Sequence, residues 1–436
     1  MRRVAILGAG GKDFHVFLTL YRDAPDAVVV FFTATQIPGI EKRVFPASLA
    51  GPRYPNGIPI YAESELATLI RRHRIDEVVF AYSDVSYEYV EERRRLAESN
   101  GAKFVLPDPK AVMLEASKPV VAVCAVRTGA GKSPTSRLVV SSLRAHGKRV
   151  IVLRHPMPYG HLEKQRVQRF EKLEDMEKAD CTIEEMEEYE PHIRDGAVVM
   201  AGVDYKAILE EAEKEADVVV WDGGNNDTPF IKPTVHITLV DPLRAGHELT
   251  YYPGRENFLL ADVLLVSKVD MATKQQLETV KKNIREHNPD ASVLYGVLEV
   301  EVEDEKAVKG KRVLVVEDGP TTTHGEMGYG AGVVAAERCG AAELINPRSF
   351  AVGSLAQTLA HYPHITRCLP ALGYGKEMIE DLRRTIERAQ PELVVVATPI
   401  DLRRVLKLQI PSVRVTYRMR IVEGSLEKVL EPVLLT

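Results

Sequence analysis

The sequence predicts an α/β fold built on mainly parallel sheets, and three observations carry that expectation. Short β-branched runs recur along the 436 residues: Val4–Leu7, Val28–Phe32, Val78–Phe80, Val120–Val126, Arg149–Leu153, Val218–Trp221, Val235–Val240, Val263–Val266, Val313–Val316 and Val394–Ala397. Charged stretches of helical period separate most of them, as at Ser64–Arg74, Tyr87–Asn100 and Lys206–Glu215. Glycine-bearing turns follow several runs directly, at the strand ends where parallel sheets bind ligands. One hydrophobic core rarely serves so long a chain, so two or three domains are expected.

The first run opens a Rossmann-like domain of residues 1–117. Gly8-Ala9-Gly10-Gly11 after it is a partial dinucleotide fingerprint, but Asp13 stands at its third glycine position and no acidic residue closes Val28–Phe32. A plain turn or a second anion site is expected there, and no NAD. Pro107-Asp108-Pro109 breaks the pattern and Lys118-Pro119 precedes a fresh strand. Residues 118–345 form a second α/β domain with a helical insertion at about 161–195, and residues 346–436, after Asn346-Pro347, a smaller α/β region packed on it. Between Glu163 and Glu190 lie eleven acidic and five basic residues. Val167, Phe170, Leu173 and Met176 recur every third position as one helical stripe, and Thr182–Glu185 reads as a capping box. Two solvated helices are expected in the insertion, with a lid over the active site as the alternative.

Composition removes several functions. The 57 Lys and Arg against 62 Asp and Glu leave a net charge of −5, so no nucleic-acid partner is expected and an anionic substrate needs a local basic cluster. No run of 18 apolar residues exists, which excludes a helical membrane span, and MRRVAILGAGG reads as strand and turn, not as a secretory signal. Cys124, Cys181, Cys339 and Cys368 form no CxxC pair, so neither a zinc ribbon nor a disulfide framework is indicated and a cytoplasmic location is expected. Eight Asn and eight Gln beside abundant Arg and Glu lean toward a thermophilic source.

The motifs point to nucleotide chemistry. Val120–Val126 followed by Arg127-Thr128-Gly129-Ala130-Gly131-Lys132-Ser133-Pro134 has the parts of a phosphate-binding loop: buried strand, glycine turn, then a Lys-Ser pair opening a helix. Lys132 would neutralise the β- and γ-phosphates and Ser133 would ligate Mg²⁺. Val126 stands where the full pattern has its first glycine. Asp222, closing Val218–Trp221 before Gly223-Gly224, suits a metal-bound water near the γ-phosphate. Ser267-Lys268-Val269-Asp270 follows another strand and resembles a guanine-reading [N/T]KxD segment, with Ser267 departing from it, so Lys268 and Asp270 leave GTP possible beside ATP. Arg154-His155, Arg244 with His247, and His324 each follow a strand, and together they are candidates for a shared anion pocket.

Several longer strings carry a resemblance. VRTGAGKS at Val126–Ser133, CTIEEMEEYEPHI at Cys181–Ile193, DPLRAGHELTYYPGRENF at Asp241–Phe258, SKVD at Ser267–Asp270, EDGPTTTHGEMGYGAG at Glu317–Gly332 and ATPIDL at Ala397–Leu402 make the chain similar to the cyclic 2,3-diphosphoglycerate synthetases. That family belongs with the dimeric, metallochaperone-like branch of the P-loop NTPases. The resemblance implies a homodimer and an ATP-dependent ligase that closes 2,3-diphosphoglycerate into its cyclic pyrophosphate. Lys132 and Mg²⁺ on Ser133 and Asp222 would then serve ATP, with His324 beside them in catalysis. Arg154, His155, Arg244, His247 and His324 would hold the phosphorylated acid. The alternatives are a nucleotide-hydrolysing switch of the same branch, or a related kinase or ligase on another small phosphorylated acid.

Overall fold

The computed structural model describes residues 1–35, 40, 42–155, 160–224, 227–323, 325–372 and 376–435. Two sheets organise them. The amino-terminal sheet has the order Val44–Phe45, Ile58–Ala62, Ala27–Ala34, Arg2–Leu7, Glu77–Phe80 and Lys103–Val105. Only the outermost pair is antiparallel. Val4 and Ile6 face a core containing Phe14 and Phe17, while Ala5 and Leu7 face another containing Leu69 and Val90. A strand buried on both faces explains why its sequence is a continuous apolar run.

The turn after Arg2–Leu7 supplies its own anion. The Asp13 carboxylate accepts the amides of Gly10 at 2.9 Å, Gly11 at 3.2 Å and Phe14 at 2.7 Å. Gly8 has φ +125°, and a Cβ there would lie 2.6 Å from Asp13 Oδ2. The amide cradle that a pyrophosphate would use is therefore occupied by a residue of the turn itself.

The second sheet runs in the order Gln168–Phe170, Val198–Ala201, Val150–Arg154, Val218–Trp221, Val120–Ala125, Val235–Val240, Val263–Val266, Ser292–Val302, Ser412–Glu423, Leu393–Ala397, Arg312–Asp318 and Glu343–Leu344, with Leu369–Ala371 also on Arg312–Asp318. From Val198–Ala201 to Ser292–Val302 all pairs are parallel, and so are all pairs from Ser412–Glu423 to the far edge. Between these halves, Ser292–Val302 and Ser412–Glu423 pair antiparallel over eight positions from Tyr295 to Val302. Because the first half joins this ribbon at Ser292–Tyr295 and the second at Ser412–Arg414, beyond Val302, the reversal points the carboxyl ends of the two halves toward each other. Loops at the carboxyl ends of both halves consequently open into one cleft.

The sequence-based expectations need two corrections. Arg312–Asp318 does not side with the loop-bearing half: it pairs with Leu393–Ala397, and Val313–Val316 pack with Leu355, Leu382 and Ile386 in the carboxyl-terminal core. The insertion is not a pair of solvated helices. Gln168–Phe170 is an edge strand on Val198–Ala201, so Phe170 and Met176 reach one core from a strand and a helix instead of a single stripe. In the helix Ile183–Arg194, which does begin with the Thr182–Glu185 capping box, Glu184, Glu185, Glu187, Glu190 and His192 are buried. Among the described residues no helix is long and apolar enough to cross a membrane.

The two sheets are joined by backbone. Tyr251–Tyr252 pairs with Val85–Ser86, and Leu114 exchanges hydrogen bonds with Phe230 and Lys232. His15 stacks on Phe230 at 4.1 Å.

Candidate active site

All of Val120–Ala125 is buried, so the loop that follows springs from a rigid base. Val126 still donates to Leu239 O as a strand residue would. The close approach that a first glycine would allow is provided instead by Gly254, where a Cβ would lie 2.1 Å from Val126 O. Gly129 and Gly131 have φ of +81° and +102°, conformations that side chains resist. Three consecutive carbonyls of the loop are held from neighbouring strand ends. Arg244 Nη2 donates to Thr128 O at 2.8 Å, Lys268 Nζ to Gly129 O at 2.7 Å and Ser267 Oγ to Ala130 O at 2.7 Å. Because the N–H and C=O of a planar peptide point in opposite directions, the amides of Gly129 and Gly131 face away from those donors.

Asp222 gathers three nitrogen-bearing side chains behind the loop. Lys132 Nζ lies 2.5 Å from Asp222 Oδ1, Arg154 Nη1 2.8 Å and His192 Nε2 3.2 Å from Oδ2. Burial alone would raise the Asp222 carboxyl, but the Arg154 and Lys132 charges prevail and hold it well below the usual carboxylate range. Arg154 also pairs with Glu188, which links this cluster to the cleft.

The amino-terminal unit completes the loop's support. Asp84, beyond the carboxyl end of Glu77–Phe80, accepts from Arg127 Nε at 2.7 Å and from Thr128 N at 3.1 Å. Arg127 also donates to His247 Nδ1 at 2.7 Å, pairs with Glu326 at 3.1 Å, and lies over the Tyr251 ring at 3.7 Å.

The facing wall of the cleft is acidic. Glu184, Glu187 and Glu188 come from the insertion helix, Glu317 and Asp318 from the end of Arg312–Asp318, and Tyr417 from the antiparallel ribbon. Glu317 Oε1 accepts the amides of Gly330 at 3.1 Å and Val333 at 2.8 Å, yet burial pushes its carboxyl up to about 7. Burial likewise pushes Asp318 up to about 6, although Thr321 Oγ1 donates to it at 2.9 Å.

No protein-family model matches the chain. Over 431 residues, 99% of this chain and 96% of the relative, it is 55% identical to the arginine synthetase ArcE of Thermococcus kodakarensis. The chain belongs to the arginine synthetase ArcE family. A cyclic 2,3-diphosphoglycerate synthetase from Thermococcus sibiricus is a more distant relative, 25% identical over 290 residues covering 60% of this chain and 65% of its own. The resemblance seen in the sequence is thus a family relation, but not to the nearer member. Among solved structures, LpxK of Aquifex aeolicus in complex with ATP aligns with a TM-score of 0.43 and 13% identity, over 85% of this chain and 99% of that one.

In this family member most candidate residues gather at the loop, and a few lie apart from it. Gly129, Gly131, Lys132, Ser133 and Pro134 line the cleft with Thr128 and Lys268, and Ala130 is buried within the loop. Arg127, Arg154, Arg244 and His247 gather around the loop, but each is committed to protein partners, Arg244 to Asp241 at 2.8 Å and to Gly325 O at 2.7 Å. His155 lies elsewhere, buried at the seam of the two sheets with Asp227 at 2.9 Å and Tyr205 at 2.7 Å. Asp270 is exposed in the turn beyond Lys268. His324 lies outside the described residues. Sequence reasoning missed Asp84, His192 and the acidic wall. The three- and four-residue spacing of Glu184, Glu187 and Glu188 was the available signal, since it sets them on one helix face.

Proposed function

We propose that this chain is an ATP-dependent ligase that forms arginine, the product in the name of its 55% identical relative. The observation that carries the proposal is the pairing in one cleft of a phosphate loop ending in Lys132 with a facing wall of carboxyls at Glu187, Glu188 and Asp318. A guanidinium is made from its ureido precursor by replacing oxygen with nitrogen, and that oxygen is a poor leaving group. Transfer of the γ-phosphoryl group to the ureido oxygen, followed by displacement of phosphate by ammonia, gives arginine, ADP and phosphate.

In this scheme the amides of Gly129 and Gly131 receive the phosphates and Lys132 exchanges its Asp222 contact for the β- and γ-oxygens. Ser133 on the cleft and Asp222 behind it are the residues for Mg²⁺. A hydroxyl and a carboxylate are the hard oxygen donors that suit this ion. Bound there, Mg²⁺ would screen the phosphate charge. Arg154, paired to both Asp222 and Glu188, keeps the phosphate side and the acidic side in register.

Cyclisation of 2,3-diphosphoglycerate is the second possibility, favoured by the name of the more distant relative. The acidic wall weighs against it. A polyanion gains no counter-charge from those carboxyls, and Arg154 and Arg244, assigned to such a substrate, already have carboxylate partners. Incubation with Mg-ATP or Mg-GTP, ammonium and either citrulline or 2,3-diphosphoglycerate separates the two. Arginine and ADP in equal amounts are expected from citrulline. A cyclic pyrophosphate signal in phosphorus NMR, without arginine, would reverse the choice.

A further inference from the structure

The insertion helix carries a carboxyl that the scheme above leaves without a specific task. Glu187 is 5% exposed, lines the cleft, and neither of its carboxyl oxygens has a hydrogen-bond partner. Glu188, Glu317 and Asp318 nearby already have donors, in Arg154, the Gly330 and Val333 amides, and Thr321. A buried carboxyl with both oxygens unpaired is destabilising, and a ligand that brings the missing donors offsets this.

We infer that Glu187 receives the guanidinium of the amino acid, two N–H groups of the planar fork meeting its two oxygens. This rests on the arginine-forming function proposed for the same cleft. The groups around it are Glu184 and Glu188 on its own helix, Glu317 and Asp318 from the opposite strand end, Tyr417 from the ribbon, and Lys132 on the loop side. Burial, then Asp318, Glu184 and Glu188, push the Glu187 carboxyl well above its ordinary range, so it holds its proton more tightly than a free carboxyl until a cation arrives. A guanidinium supplies that opposite charge and drives the proton into solvent. The uncharged ureido group does not. Glu187 thereby distinguishes product from precursor by charge.

Isothermal titration of the full chain near pH 7, in two buffers of different ionisation enthalpy, tests this with arginine, agmatine and citrulline as probes. About one proton should leave per arginine or agmatine bound and none with citrulline. Glu187→Gln should weaken arginine binding by about tenfold or more and abolish the release. Affinity for an ATP analogue should stay within about twofold, because the loop is untouched. Glu187→Met, of similar volume, is the second variant should the amide fold poorly. Failure of every guanidinium probe to bind, arginine binding without proton release, or unchanged arginine affinity in both variants would overturn the inference. Proton-releasing binding by a chain that makes no arginine would keep the Glu187 subsite and remove the proposed function. Arginine synthesis with proton-silent arginine binding would do the opposite.

Discussion

Replacing Asp84 by alanine should detach the phosphate loop from the amino-terminal sheet. The carboxylate has two separable tasks: one oxygen pairs with Arg127 Nε at 2.7 Å and the other accepts Thr128 N at 3.1 Å. The side chains of Arg127 and Asp84 are 1% and 2% exposed, so the pair lies in the regime where losing one partner costs about 3–5 kcal/mol. Glu326 and the Tyr251 ring still offset part of the orphaned charge, which places the loss near the lower figure. With an unfolding entropy of about 2.1 cal/mol/K per residue, 436 residues give roughly 0.9 kcal/mol per degree, so about 3 kcal/mol lowers Tm by about 3 °C. Asp84→Asn should lose a similar amount but keep an acceptor for Thr128 N. Only the alanine variant should therefore raise the KM for ATP strongly, by about tenfold for one lost backbone hydrogen bond. Calorimetric melting together with steady-state kinetics measures both quantities. Melting points within about 1 °C of the parent and an unchanged KM in both variants would refute the coupling.

Further outcomes follow from the same geometry. Lys132→Ala should lower kcat by about 10²–10³ or more while the fold persists, because Asp222 keeps Arg154 as a partner; far-ultraviolet circular dichroism beside initial rates checks this. Glu317 is raised in the fold from 4.5 to about 7, chiefly by burial. Its contribution to stability is therefore complete below its unfolded value and lost as pH rises through about 7, by up to about 3 kcal/mol. Glu317→Gln keeps the acceptor for Gly330 and Val333, so its Tm relative to the parent should rise between pH 5 and pH 8, and a flat difference would contradict the burial effect. In Gly254→Ala the new methyl meets Val126 O, so about 1–3 kcal/mol of overpacking and weaker ATP-analogue binding are expected in melting and titration.

How much of this was legible in the sequence differs by element. Val120–Ala125 and the turn after it are readable because a fully buried parallel strand is continuously apolar and because Gly129 and Gly131 mark positive φ. The ribbon was readable but overlooked: Ser412–Glu423 alternates Val413, Val415, Tyr417 and Met419 with Arg414, Thr416 and Arg418, a period of two masked by its charge. It matters because this ribbon brings the two strand-end clusters face to face. Arg154 and His247 look like free anion holders in sequence, since nothing local discloses that Asp222 and Arg127 occupy them, whereas the partner of Arg244, Asp241, stands only three residues before it. The acidic helix misleads for the same reason. Spacing sets Glu184, Glu187 and Glu188 on one face, but whether that face meets water or a cleft depends on a strand much later in the chain.

The most direct measurement uses citrulline labelled with ¹⁸O in the ureido group, incubated with Mg-ATP, ammonium and the full chain, with phosphate and arginine followed together. Oxygen activation at the Lys132 loop predicts that each arginine formed is matched by one phosphate carrying the label. Unlabelled phosphate, or ATP hydrolysis with no arginine, would contradict it.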